Sequence, residues 1–186
     1  MKGVINNLEK IDLNRIIEIK DKYLKKDIKS NLKLTGDITL GDMYNLKSLT
    51  CSSRKVKSLK GLEYAENLEN LNIQENEVRD LSPLKNLKNL NVLNANLQIN
   101  ETEMIKVENN KVILQERIVS RRGEILSPKE LMLGSEKLDV ENSLDKDGNI
   151  VIDTSQLELG LYTIYATYEN QEDNHEVRIL YLFNIS

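Results

Sequence analysis

The 186 residues contain one cysteine, two prolines, one histidine, one phenylalanine and no tryptophan. A single thiol, Cys51, excludes an internal disulfide framework. No apolar run approaches the roughly 18 residues that a transmembrane helix requires, so no membrane insertion is expected. The first ten residues, MKGVINNLEK, have no apolar stretch of the signal-peptide kind. With 26 basic against 30 acidic residues the formal charge is −4, which leaves no basic excess for nucleic acid. The chain has no GxSxG, P-loop, GxGxxG or HExxH motif. His175 has no second histidine or nearby cysteine with which to bind a metal, and no nucleophile at a recognisable spacing. These absences lead us to expect no enzyme, no cofactor and no metal site.

What the chain does contain is a repeat. Leu46, Leu49, Leu59 and Leu62 recur 22 residues later as Leu68, Leu71, Leu81 and Leu84, and a third copy begins at Leu90 and Leu93. The fullest copy, L-E-N-L-N-I-Q-E-N-E-V-R-D-L-S-P-L-K-N-L over 68–87, matches the leucine-rich pattern L-x-x-L-x-L-x-x-N-x-L. Such repeats stack short strands and expose their inner side, a surface generally used for binding rather than chemistry. Leu49 and Cys51, Leu71 and Ile73, and Leu93 and Ala95 should point inward. The alternate residues then form a concave face of Ser48, Thr50 and Ser52, then Asn70, Asn72 and Gln74, then Val92, Asn94 and Asn96. These nine are the candidate partner-binding residues. They include no aromatic and no charged side chain, although interface anchors are commonly Trp, Tyr or Arg. Asn76 stands where a side-chain amide can satisfy the backbone at the strand's turn, and Arg54 takes that place in the first copy.

Two and a half repeats cannot bury their apolar faces alone, so both ends need caps. Residues 1–45 read as a helical N-terminal cap. Asp21 can cap a helix through Asn31 with Leu24 and Ile28 on one face. Ile16 to Ile19 reads as a short extended piece, and Thr39 with Asp42 forms a capping box for a short helix containing Met43 and Leu46. The lysines 22, 25, 26 and 29 make a solvated basic surface. Residues 46–102 hold the repeats. Residues 103–186 read as all-β. Tyr162, Ile164, Ala166 and Tyr168 alternate on one strand face, and Val177, Ile179, Tyr181, Phe183 and Ile185 on another, with a polar hairpin at 170–174 between them. Asn109-Asn110, Arg122-Gly123 and Asp147-Gly148 mark turns. Leu159-Gly160-Leu161-Tyr162 looks like the approach to a tyrosine corner. The expected fold class is mixed and mostly β: a short leucine-rich repeat solenoid with a helical cap, followed by an immunoglobulin-like β-sandwich.

The order of cap, 22-residue repeats and directly attached β-domain resembles the internalin family of bacterial surface proteins. The match is carried by L-K-G-L-E-Y-A-E-N-L-E-N-L-N-I (59–73) and V-R-D-L-S-P-L-K-N-L (78–87), with I-T-L-G-D-M (38–43) similar to the family's cap. The chain has far fewer repeats than the family's long members, and no signal peptide or C-terminal anchoring motif is recognised in it. The resemblance implies an exported, cell-surface or secreted protein whose concave face binds a protein; a monomer is expected. The expected function is therefore a non-catalytic interaction module, internalin-like, in adhesion or host interaction. The alternative is a structural spacer or targeting module of a larger exported protein, which the strand-like ending at 183–186 fits.

Four lesser features have ordinary readings. Asp145-Lys146-Asp147-Gly148-Asn149 starts like a calcium loop, but Ile150 and Gln156 stand where an EF-hand needs Gly and Glu, so a hairpin turn is expected. His175 reads as a loop residue, and Cys51 as a small buried apolar one. The sequons at 100–102 and 184–186 are read as chance matches in an Asn-rich chain.

Overall fold

The computed structural model describes residues 11–186, without the side chains of 101–103. The first ten residues of the expected cap therefore lie outside the described residues. Helix α1 spans Lys22–Asn31, and Leu24 and Ile28 are its buried residues. Its N-cap Asp21 accepts from the Tyr23 and Leu24 amides through one carboxylate oxygen (3.0 and 3.1 Å). The other oxygen accepts from the Lys57 and Ser58 amides (2.8 and 3.2 Å), which ties the helix to the first repeat. Helix α2, Leu40–Asn45, starts with the expected capping box of Thr39 and Asp42, and Leu46 is its C-cap rather than a helical residue. Residues 13–17 run beside 38–41 through backbone hydrogen bonds, so part of this region is extended. Gly61, at φ 104°, lies so close to Ile19 that a β-carbon would fall 2.1 Å from the Ile19 Cδ1.

Three strands repeat at 22 residues: β1 (Ser48–Thr50), β2 (Asn70–Asn72) and the start of β3 (Val92–Ile105). They pair in parallel and in register, Leu49 with Leu71 and Leu71 with Leu93. Short 3-10 turns at Leu62–Tyr64 and Ser82–Leu84 bury Leu62 and Leu84 on the return side. One apolar core runs from Ile17 through the leucines to Ala95.

The expected fold class must be corrected here. The described residues are mostly β with two short helices, and their main element is one mixed sheet of seven strands in the order β1-β2-β3-β11 (His175–Ile185)-β10 (Gly160–Asn170)-β7 (Glu130–Leu133)-β8 (Glu136–Lys137). No leucine-rich repeat solenoid stands among the described residues. β1 and β2 have only three residues each, and β3 does not turn back after a third copy but runs on to Ile105, 14 residues in all. Its far part pairs in parallel with β11 (His175–Ile185), so the third copy becomes a central strand instead of another coil of a stack.

The region from 103 onward is likewise not a free-standing immunoglobulin-like sandwich. Its strands β10 (Gly160–Asn170), β7 (Glu130–Leu133) and β8 (Glu136–Lys137) extend the same sheet. The ladder β4 (Lys111–Leu114) with β9 (Ile150–Asp153) and the ladder β5 (Ile118–Val119) with β6 (Ile125–Leu126) are separate two-stranded pieces. A second core joins Val112, Leu114, Ile118, Ile150 and Ile152 to the inward residues of β10 and β11. Those inward residues follow the alternation of the sequence, Ile164, Ala166 and Tyr168 against Val177, Ile179, Tyr181 and Phe183. Tyr162 stacks on Phe183 with ring centroids 5.3 Å apart, and its hydroxyl donates to the Glu158 carbonyl (3.0 Å), the contact expected of a tyrosine corner.

Leu71 is central to the first core, flanked by Leu49 and Leu93 on the paired strands. We expect Leu71→Ala to lower stability by about 2–5 kcal/mol, because the cavity it leaves lies between rigidly paired strands. Urea unfolding followed by circular dichroism checks this, and a loss below about 1 kcal/mol would contradict the packing described.

Candidate functional site

The candidate face is built by the strand register. Ser48, Asn70 and Val92 form one cross-strand row, and Thr50, Asn72 and Asn94 the next. Backbone hydrogen bonds continue past the strand ends, from Ser53 to Gln74 (3.0 Å) and from Glu75 to Asn96 (3.1 Å), which aligns Ser52, Gln74 and Asn96 as a third row. All nine residues expected on this face are exposed or half-buried, while Leu49, Cys51, Leu71, Ile73 and Ala95 are buried behind them.

The amides of this face bond to each other. Asn94 donates through its side chain to the Gln74 side-chain oxygen (3.0 Å), and the Gln74 backbone N–H donates to the Asn72 side-chain oxygen (3.1 Å). A residue that the sequence reading missed continues the chain of amides. Asn174, in the hairpin between β10 and β11, accepts from the Asn96 side chain (2.7 Å) and donates toward the Leu93 carbonyl and the Asn94 side chain (both 3.4 Å). Nothing local in the sequence places Asn174 there, 78 residues from Asn96.

The face also extends further than the repeats. Leu97 has φ 57° and bulges, so Gln98 turns inward and Ile99 returns to the outward side. Pairing then carries the surface across β11 and β10. Ile99 is opposite Arg178, which is opposite Thr167. Met104 is opposite Leu182, which is opposite Thr163. Leu180 is opposite Tyr165, which is opposite Met132. Directly opposed residues share a face. Ile99 is 56% exposed, Met104 59%, Leu161 64% and Tyr165 47%. The structure thus adds to these rows, whose one aliphatic member is Val92, an aromatic ring and further aliphatic side chains. The charged residues here are largely paired, as in Arg178 with Glu176 (2.6 Å).

Behind the face, Asn76 acts as the sequence suggested. Buried, it accepts from the Arg54 and Val56 amides (both 3.0 Å) and donates to the carbonyls of Cys51 (2.7 Å), Ile73 (2.8 Å) and Gln74 (3.2 Å). Gln98, 22 residues on, repeats the arrangement. It accepts from the Val78 amide (2.9 Å) and donates to Ile73 (2.8 Å), Ala95 (3.1 Å) and Asn96 (3.2 Å). The spacing alone would have found Gln98.

The lesser candidates are placed as follows. Cys51 is buried, and burial, with Asp27 and Asp21 adding to it, pushes its thiol up to about 12, so it stays protonated and unreactive at neutral pH. The Asp145 carboxylate is occupied by its own turn. It accepts from the Asp147 and Asn149 amides (2.9 and 2.8 Å) and from the Asn149 side chain (2.8 Å), which hold it below the usual carboxylate range. Arg117 braces this loop through the Asp147 carbonyl (3.1 Å) and the Asn149 side chain (2.7 Å). His175 is not a loop residue. It opens β11 and is buried, because the inward alternation of that strand begins at 175. Among the described residues no group of three or more His, Cys, Asp or Glu is placed to hold a metal, and no helix is long and apolar enough to cross a membrane.

Comparison with solved structures adds an independent view. A structure of CBM51-2 in complex with GlcNAc and INT domains, from Clostridium perfringens ZmpB, is 40% identical to the chain, with a TM-score of 0.82 over 95% of this chain and 37% of that one. The structural likeness is to an internalin-like module. A structure of the CBM51-2 and INT domains of the same protein matches at 40% identity and TM-score 0.81, over 97% of this chain and 38% of that one. The chain spans under two fifths of the length of these two ZmpB chains. An internalin of Listeria monocytogenes is 34% identical over 39% of this chain and 22% of its own, with a TM-score of 0.38. No family model matches the chain, and no curated protein matches it.

Proposed function

We propose that the chain is a non-catalytic protein-interaction module of a bacterial surface or secreted protein, serving adhesion or host interaction. A partner protein docks on the outward face of the seven-stranded sheet. The observation that supports this most is the continuity of that face. The rows of mostly hydroxyl and amide side chains from Ser48 to Asn96 lead into Ile99, Met104, Leu161 and Tyr165. Self-bonded amides form a pre-ordered polar platform, and an exposed tyrosine among aliphatics is the kind of anchor that dominates protein interfaces. Similarity to a chain containing INT domains favours the same class. The division 1–45, 46–102 and 103–186 is proposed as a functional one, with the second and third regions sharing the face.

A second reading is favoured by one observation. The matched ZmpB chains are more than twice as long as this one and hold INT domains beside CBM51-2. On that reading the chain is a spacer or targeting module of a larger exported protein.

Capture of proteins by the immobilised chain from a host-cell surface extract and from a bacterial wall fraction separates the two. Saturable binding of one protein is expected. Tyr165→Ala should weaken it about 30-fold, a hot-spot loss of about 2 kcal/mol, and Asn72→Arg should abolish it, both with little change in melting temperature. Binding unaffected by either substitution would move the site off the sheet face. No saturable binding in either fraction would favour the spacer.

A further inference from the structure

At the seam where β3 meets β11 the chain buries its single histidine. His175 is 1% exposed and stands opposite Ala95, where the β3–β11 register shifts before Val177. One ring nitrogen, Nε2, faces the Val78 carbonyl at 3.5 Å, a long contact. The other, Nδ1, is buried with no hydrogen-bond partner. A neutral imidazole needs only one donor contact, so this site suits it. An imidazolium carries two N–H donors, and the site has no acceptor for the second. The charged group facing the ring is Asp173 of the same hairpin. From the repeat side the ring meets the Val78 carbonyl, and Ala95, opposite it on β3, brings no charge. The Asp173 carboxylate is already engaged by the Arg121 amide (2.8 Å).

We propose that His175 is an acid-sensitive latch: protonating its ring loosens the β3–β11 seam and releases Asn174 from the amide rows of the sheet face. The coupling is short. Asn174 is the neighbour of His175, and its side chain bonds to Asn94 and Asn96. Its backbone carbonyl accepts from Ala95, the residue paired with His175. Burial lowers the affinity of the ring for a proton more than the Val78 carbonyl and Asp173 together restore it. The folded form therefore binds its proton less readily than the unfolded form. Stability from this group is complete above the ordinary value of 6.5 and is lost as pH falls below it, until the folded-state titration is passed. The latch rests on the seam alone and holds whether or not the face binds a protein.

Because the chain has one histidine, its ring signals are unique in a proton–carbon NMR spectrum of the whole chain. The ring should titrate below 6.5. Amide exchange, corrected for the intrinsic pH dependence, should show protection in 92–99 and 174–178 falling about tenfold per pH unit below the ordinary value, while 22–31 changes less. His175→Phe should remove that fall. A ring titrating at 6.5 or above would overturn the latch. So would protection in 92–99 that stays constant through the titration. Should His175→Phe fail to fold, the titration and exchange of the unmodified chain decide the matter by themselves.

Discussion

Deleting residues 103–186 is expected to unfold the repeats rather than leave a smaller folded protein. The deleted part contributes β11, the partner of β3 along most of that strand's length. It also supplies Val119, whose backbone pairs with Arg79 and Leu81 beside the second 3-10 turn (2.8 and 3.0 Å). Arg121 reaches further across. Its guanidinium donates to the carbonyls of Leu84 (3.2 Å), Leu87 (2.6 Å) and Leu90 (3.4 Å) at the end of the repeat core, the first two of which also accept from the Leu87 and Leu90 amides. Removing all of this exposes the last apolar layer of a segment too short to hold itself, since each repeat buries its face only against a neighbour. Circular dichroism of residues 1–102 should show no cooperative melting. A cooperative transition close to that of the whole chain would contradict the account.

Replacing Asn76 by leucine is expected to cost about 3–5 kcal/mol, although the side chains are close in size. Leucine leaves the Arg54 and Val56 amides and the Cys51 carbonyl without their buried partner, and each such orphan costs about 1–3 kcal/mol. Gln98→Leu should cost a similar amount through the Val78 amide and the Ala95 carbonyl. Both side chains donate to the Ile73 carbonyl, so the two losses should not add. The double variant is expected to exceed the sum by about 0.5 kcal/mol or more, because only there does the Ile73 carbonyl lose both donors. Urea unfolding of the four proteins measures this. Strict additivity would show that the two amides do not share an acceptor, and a cost below about 1 kcal/mol for Asn76→Leu would show that water satisfies the site.

What was legible in the sequence was what short-range rules decide. The Asp21 cap, the Thr39–Asp42 capping box, the helix over 22–31 and the inward alternation of β10 and β11 each depend on residues a few positions apart. The 22-residue spacing placed the nine residues of the polar face and the Asn76 amide. What followed the third copy was not legible. Whether the chain turns after Ala95 or runs on to Ile105 depends on β11, a strand some 80 residues away whose parallel pairing leaves no local trace. The positive φ at Leu97 hides the continuation further, because the extra residue breaks the alternation that a strand would show. The apolar half of the face was missed for the same reason. The alternation of β10 leaves Tyr165 on the side away from its inward residues, but nothing in the sequence joins that side to the amides of Asn94 and Asn96. Arg121 and Asn174, both in loops, act through contacts 31 residues away or more.

The claim on which the rest depends is that both cores belong to one cooperative body with β3 as its shared strand. Scanning calorimetry of the whole chain at neutral pH tests it most directly. One transition is expected, with a calorimetric enthalpy equal to the van't Hoff value. Two resolved transitions, one for the repeats and one for the remainder, would contradict the continuous sheet and with it the continuous docking face.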